Sequence, residues 1–153
     1  RLYWSIYTES MSYLIIAFSL ENFVKAIFSG VTEEIVFRGT LLNFFNQKNK
    51  KYLGLIITSV LFGFIHLSNS LIGEDVSVLQ IAYLICMGIL FGLIYLNFGL
   101  VSSITCHFLG NLVVSGFTHH FNNNLYYILG IIIILNLILF IREIKKKGTS
   151  KKY

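Results

Sequence analysis

Long apolar stretches separated by short polar breaks dominate the pattern along this chain. A membrane-spanning helix needs about 20 mostly apolar residues. One interrupted stretch and five clearer ones approach that length: residues 2–20, 22–45, 52–67, 76–98, 100–117 and 125–141. The stretch 2–20 is the weakest because Glu9 and several hydroxyl side chains interrupt it. The pattern predicts an all-α, polytopic membrane helix bundle of about five to six transmembrane helices.

The composition agrees with a protein embedded in lipid. Of the 153 residues, 56% are hydrophobic and 12% are charged, whereas soluble domains average about 25% charged residues. Cys86 and Cys106 both lie in apolar stretches and form no CxxC pair, so we interpret them as packing residues. We therefore expect a single transmembrane domain over residues 1–153.

Basic residues are concentrated in two places, the loop with Lys48, Lys50 and Lys51 and the C-terminal tail 142–153. The loops around Glu74 and around residues 119–124 carry no Lys or Arg. The positive-inside rule then predicts that the loop 46–52 and the C-terminus are cytoplasmic. The net charge of +5 is thus an orientation signal that suits contact with the lipid bilayer, and we expect no nucleic-acid partner.

Three charged residues interrupt the second apolar stretch, in the segment GVTEEIVFRG. An ionised side chain at the centre of a membrane helix costs about 2.5 to 3.5 kcal/mol, so Glu33, Glu34 and Arg38 would together cost roughly 8 to 10 if unpaired. Glu34 and Arg38 have i, i+4 spacing and can form a pair. Glu33 is rotated by about 100° from Glu34 and needs another partner.

Polar residues of two other helices lie at similar depth. Counting about 1.5 Å per residue from the cytoplasmic helix ends puts Glu33 and His66 roughly 20 Å deep, His107 about 12 Å and Asn111 about 18 Å. His107 and Asn111 also have i, i+4 spacing, so they share one helix face. We expect these four residues to converge near the middle of the bilayer.

Such a group of side chains allows more than one chemistry. A carboxylate and a histidine can hold and deprotonate a water, while a second histidine and an asparagine can donate hydrogen bonds to an oxyanion; together they would hydrolyse a peptide bond. Glu33, His66 and His107 can instead ligate a divalent metal such as zinc with one open position for water. Two alternatives are not enzymes. One is a non-catalytic binding protein whose helices are held together by these polar residues, and the other is an ion or proton pathway.

Three sequence motifs resemble those of the CPBP intramembrane proteases, also called the CAAX prenyl protease or Abi family. TEEIVFRG, FGFIH and HFLGN are similar to EExxxR, FxxxH and Hxxx(N/D), in the family's order, over about residues 29–114. The resemblance implies that Glu33 and His66 activate the attacking water. It further implies that His107 and Asn111 stabilise the oxyanion. Supporting roles are implied for three further residues: Glu34, Arg38 and Phe62.

The resemblance also implies a substrate class, a membrane-associated protein or peptide. Family members are widely described as metalloproteases, although the glutamate and histidine arrangement is also compatible with metal-independent hydrolysis. Eukaryotic and archaeal relatives trim prenylated CAAX proteins, whereas many bacterial members are linked to bacteriocin immunity or peptide maturation. The abundance of Ile, Asn and Lys, with no Pro, resembles a protein of an AT-rich bacterium, so we expect a bacterial plasma-membrane protein with one of the latter roles.

The domain organisation follows from the same resemblance. We expect a CPBP-like core at about residues 22–118, a last helix at 125–141 and a basic cytoplasmic tail at 142–153. Family members usually have additional N-terminal helices, so we expect that some are missing here.

Overall fold

Helices account for all the elements that the structure describes. The computed structural model describes residues 19–67, 77–123 and 125–149. The elements in chain order are α1 (Leu20–Glu34), a π-helical segment (Ile35–Leu42), α2 (Asn43–Gln47), α3 (Lys51–Ile65), α4 (Val78–Phe98), α5 (Leu100–Asn123) and α6 (Leu125–Thr149). The predicted all-α membrane helix bundle is confirmed. Most of the predicted first span, residues 2–18, and the loop around Glu74 lie outside the described residues.

Two of these helices are long and apolar enough to cross a membrane by themselves. They are α4, over Val78–Phe98, and the part of α6 over Tyr127–Lys145. The outward face of α6 is also apolar: Ile131, Ile134 and Leu137 each expose more than half of their surface. A water-soluble monomer rarely exposes such a continuous apolar face, so this surface is suited to lipid.

Helix α4 is the centre of the bundle, because it packs against α3, α5 and α6, while α1 packs along α5. The backbones of α3 and α4 approach closely at Gly88, where an added Cβ would lie 2.9 Å from the Cα of Ser59. Asn136 of α6 donates a hydrogen bond to the backbone oxygen of Cys86 in α4 over 3.0 Å. Small residues and interhelical hydrogen bonds of this kind hold helices together where lipid provides no hydrophobic driving force between them.

A π-helical segment, Ile35–Leu42, follows α1 directly and was not predicted from the sequence. The Thr40 hydroxyl donates to the Ile35 backbone oxygen, five residues earlier, over 3.1 Å. The segment turns Phe37, Arg38 and Leu42 toward the interior of the bundle, where all three are buried. Wide turns of this type are one cause of local distortion in helices without proline, and they often occur at functional sites.

The two lysine-rich regions lie at the same end of the bundle. Lys51, at the start of α3, forms an ion pair of 2.5 Å with Glu143, near the end of α6. The Arg142 guanidinium lies 4.6 Å from the centre of the Phe98 ring, at the end of α4. The helix α6 continues to Thr149, beyond residue 141, where the sequence pattern predicted the end of the last helix.

Candidate active site

Three helices bring together one carboxylate and two imidazoles that are distant in the chain. Oε2 of Glu33, in α1, lies 3.9 Å from Nε2 of His66, which directly follows α3. The same oxygen lies 3.9 Å from Nε2 of His107, in α5. All three residues line a cavity of about 520 Å³. The expected convergence of these residues is therefore present in the structure.

The orientation of His66 is determined by a hydrogen bond to its own helix. Its Nδ1 lies 2.7 Å from the backbone oxygen of Phe62. Because a carbonyl oxygen can only accept, Nδ1 must carry the proton in this contact. In the neutral imidazole, Nε2 then has a free lone pair. This lone pair is on the nitrogen that faces Glu33.

Glu34 is fully buried and has several partners. Its Oε1 accepts hydrogen bonds from Nη1 of Arg38 over 2.8 Å and from Nδ1 of His107 over 2.9 Å. Its Oε2 accepts a hydrogen bond from the Ser103 hydroxyl. Nη2 of Arg38 donates to the Gly88 backbone oxygen over 2.8 Å. The expected Glu34–Arg38 pair is thus present, and it also holds the His107 ring.

Aromatic rings pack around the Arg38 guanidinium and the two histidines. The Phe62 ring centre lies 4.7 Å from the Arg38 guanidinium, and 4.9 and 5.6 Å from the ring centres of His66 and His107. The Phe91 ring stacks on His107 at 4.6 Å with an angle of 18° between the planes. Phe62 and Phe91 are both buried. They limit access of water, which strengthens the electrostatic interactions around His107.

Asn111 lies on the cavity wall, one helical turn beyond His107. Its Nδ2 donates a hydrogen bond to the Ser29 hydroxyl of α1 over 2.7 Å. The α1 backbone approaches α5 closely near this contact, since an added Cβ at Gly30 would lie 3.2 Å from the Phe108 nitrogen. The amide of Asn111 is therefore positioned in the same cavity as the histidines.

The two adjacent glutamates have opposite environments. Both carboxylate oxygens of Glu34 accept hydrogen bonds, and its side chain is completely inaccessible to solvent. Oε2 of Glu33 is buried but has no hydrogen-bond partner among the described residues, and the Glu33 side chain is 27% exposed. A buried carboxylate oxygen without a hydrogen-bond partner costs free energy of folding, so its presence in a folded protein calls for an explanation. Of the two carboxylates, Glu33 is the one that lines the cavity.

The set Glu33, His66 and His107 has the donor types that zinc prefers, but its spacing does not match a metal site. Tetrahedral ligands about 2.1 Å from zinc are about 3.4 Å from each other, and both measured separations from Glu33 are 3.9 Å. Within the described ranges, no group of three or more His, Cys, Asp or Glu side chains is arranged to hold a metal ion. The spacing of these side chains does not fit a zinc site, and the proposed mechanism uses no metal.

Sequence reasoning missed several residues of this site. Ser103 is four residues before His107 and Ser29 is four residues before Glu33, so helical spacing could have identified both. Phe91 and the Gly88 backbone oxygen belong to α4, which carries no motif. They reach the site only through helix packing, and no sequence signal points to them.

The comparisons with known proteins give one match. Residues 6–113 of this chain match the family model described as type II CAAX prenyl endopeptidase, Rce1-like. The matched range includes all four residues that converge on the cavity. Comparisons with curated proteins and with solved structures gave no significant match.

Proposed function

The chain belongs to the Rce1-like family of type II CAAX prenyl endopeptidases, and we propose that Glu33, His66, His107 and Asn111 form its catalytic centre. It is a protease of the membrane-embedded CAAX type, so its substrate is a protein or peptide. The centre would hydrolyse a peptide bond of a membrane-associated chain by direct attack of water. The role of each residue in this reaction is inferred from the hydrogen bonds and distances of the site.

Glu33 and His66 activate the water. Two atoms 3.9 Å apart can both lie within about 2.8 Å of one water oxygen, which is hydrogen-bond distance. Both Oε2 of Glu33 and Nε2 of His66 are acceptors, so such a water would donate its two protons to them and direct a lone pair at the substrate carbonyl. As the water attacks, one proton moves to this pair of bases, and the new C–O bond produces a tetrahedral oxyanion.

His107 and Asn111 stabilise that oxyanion. Because Nδ1 of His107 donates to Glu34, its Nε2 can donate only if the ring carries both protons. Such a doubly protonated ring would lie between two carboxylates, since Oε1 of Glu34 is 2.9 Å from its Nδ1 and Oε2 of Glu33 is 3.9 Å from its Nε2. Asn111 provides a second donor when its Nδ2 exchanges the Ser29 hydroxyl for the substrate oxygen. The proton held by Glu33 and His66 then passes to the leaving amine as the C–N bond breaks.

The contrast between the two glutamates is the observation that carries this proposal. A carboxylate that only held helices together would contact neighbouring helices directly and lie outside the cavity, as Glu34 does. Glu33 has an unpartnered oxygen that faces two imidazoles inside a cavity. This arrangement favours the enzyme over the alternative of a non-catalytic binding protein.

The test is the substitution Glu33→Gln, which keeps the size of the side chain and removes the base. Peptide termini in membranes and medium are compared by mass spectrometry between cells with wild-type protein and cells with Glu33→Gln at equal expression. We expect termini that depend on Glu33, with a loss of about 10²- to 10⁴-fold in the variant. Thr32→Val is the control, since it changes an exposed side chain of α1 beside Glu33 that does not line the cavity. Identical termini in all three samples would overturn the proposal.

The same experiment addresses the biological role. We propose a bacterial plasma-membrane protein whose lysine-rich end is cytoplasmic, in accordance with the positive-inside rule, and a role in bacteriocin immunity or peptide maturation. Termini of secreted or membrane-bound peptides would support that role, whereas termini of prenylated proteins would point to CAAX processing instead.

A further inference from the structure

The cavity extends beyond the proposed catalytic centre toward the N-terminal end of α1. Lys25, Ser29 and Glu33 follow one another at i, i+4 spacing along this helix, and all three line the cavity. Lys25 is the one Lys or Arg side chain among the described residues of the lining. Asn111 lies opposite Ser29, at an intermediate level. Along α1 the cavity therefore presents first the proposed catalytic residue Glu33, then the neutral polar groups of Ser29 and Asn111, and last the positive charge of Lys25.

We propose that Lys25 is a specificity-determining residue that binds a carboxylate on the C-terminal side of the scissile bond. The proposal rests on the proposed function, because it takes Glu33 as the position of the scissile carbonyl. A bound peptide has two arms on either side of that carbonyl. Only the C-terminal arm ends in a carboxylate, so a lysine at the end of the cavity selects the direction in which the substrate lies.

The distance indicates how long that arm is. Lys25 and Glu33 are eight residues apart, which corresponds to about 12 Å along a helix. Three residues of an extended chain span about 10 Å, and the flexible lysine side chain covers the difference. The backbone of the arm would pass Ser29 and Asn111, whose hydroxyl and amide can hydrogen-bond to peptide groups.

The present partner of Lys25 does not prevent this contact. Its Nζ forms an ion pair of 2.6 Å with Glu21, and the two side chains are 69% and 75% exposed. The hydrogen bond and the positive charge of Lys25 lower the pKa of the Glu21 carboxyl, so this carboxylate remains ionised at neutral pH. Exposed pairs of this type are weak. A substrate carboxylate can therefore replace Glu21 without a large loss of stability.

The position of Lys25 in the sequence also needs a reason. Apart from Arg1 and the buried Arg38, all other Lys and Arg residues belong to the two lysine-rich regions at the opposite end of α1. The orientation signal therefore does not account for Lys25. A contact with an anionic group of the substrate does account for an isolated cation at the end of the cavity.

The experiment uses the purified full chain in liposomes and three synthetic peptides that carry a cleavage sequence identified by the comparison of termini, with three residues after the scissile bond. The peptides end in a free carboxylate, in a carboxamide, or in a carboxamide with glutamate as the last residue. We expect the wild type to cleave the free acid with a kcat/KM about two- to fivefold above that of the plain carboxamide, the effect typical of one exposed ion pair. The glutamate peptide shows whether a side-chain carboxylate can replace the terminal one.

Lys25 variants complete the design. Lys25→Met should abolish the preference for the free acid over the carboxamide, and thermal unfolding of the variant in detergent micelles controls for folding. Lys25→Arg should keep the preference, and Glu21→Gln should keep or increase it. Equal cleavage of acid and carboxamide by the wild type would overturn the role of Lys25 while leaving the proposed function intact. Absence of any cleavage that depends on Glu33 would overturn both.

Discussion

Glu34→Gln is the substitution that should most clearly separate support of the site from catalysis. Glu34 is the counterion of Arg38, and both side chains are inaccessible to solvent. Glutamine has nearly the same shape but no charge, so Arg38 would remain as a buried cation without its counterion, in contact with the Gly88 oxygen and the Phe62 ring. The variant would also weaken the acceptor that orients His107.

The expected magnitude follows from these contacts. Removal of one partner of a buried ion pair costs about 3 to 5 kcal/mol, because the other charge remains without compensation. Nε of Arg38 already has no hydrogen-bond partner in the described part of the chain, so little compensation is available. For a chain of this size, 1 kcal/mol corresponds to about 2 to 4 °C in Tm. We therefore expect Glu34→Gln to lower Tm by about 6 to 20 °C.

The assay is thermal unfolding in detergent micelles, with Glu33→Gln as the matched control. Glu33 has no such partner, so we expect that variant to retain the Tm of the wild type within about 2 °C while losing activity. The double variant Glu34→Gln/Arg38→Met should be more stable than Glu34→Gln alone, since it removes the uncompensated charge. A Tm of Glu34→Gln equal to that of the wild type, or a double variant less stable than the single one, would refute the assignment of Glu34 as the buried counterion.

Two further predictions concern packing and metals. Gly88→Ala should destabilise the protein by about 1 to 3 kcal/mol because a Cβ there would contact the Ser59 backbone. Gly130→Ala is the control and should be neutral or stabilising, since nothing lies within 4 Å of the added Cβ. Equal effects of the two substitutions in thermal unfolding would contradict the close α3–α4 contact. Chelators should leave peptide cleavage by the wild type unchanged, because Glu33, His66 and His107 are not arranged as a metal site; a loss of activity that zinc restores would show that the side chains rearrange around a metal.

The site could be predicted from the sequence to the extent that its residues stand in local patterns. The i, i+4 spacing of Glu34 and Arg38 predicted their pair, which is present at 2.8 Å. The depth estimate predicted the meeting of Glu33 and His66, since helical rise is nearly constant. The contact of Glu34 with His107 was missed, because the rotation of α5 relative to α1 is not encoded in either helix alone.

The sequence by itself determined the class of structure and the candidate chemistry. Apolar stretches of membrane length require helices because backbone groups must be satisfied within lipid, and charged motifs inside them require partners. The i, i+4 spacing already separated the two glutamates by pairing Glu34 with Arg38, and the packed bundle added Ser103 and His107 as the further partners that saturate Glu34. Only the tertiary structure brought Phe91, Gly88 and Lys25 to the site. These contributions depend on how neighbouring helices pack and where the cavity extends, which are properties of the assembled bundle and not of a single helix.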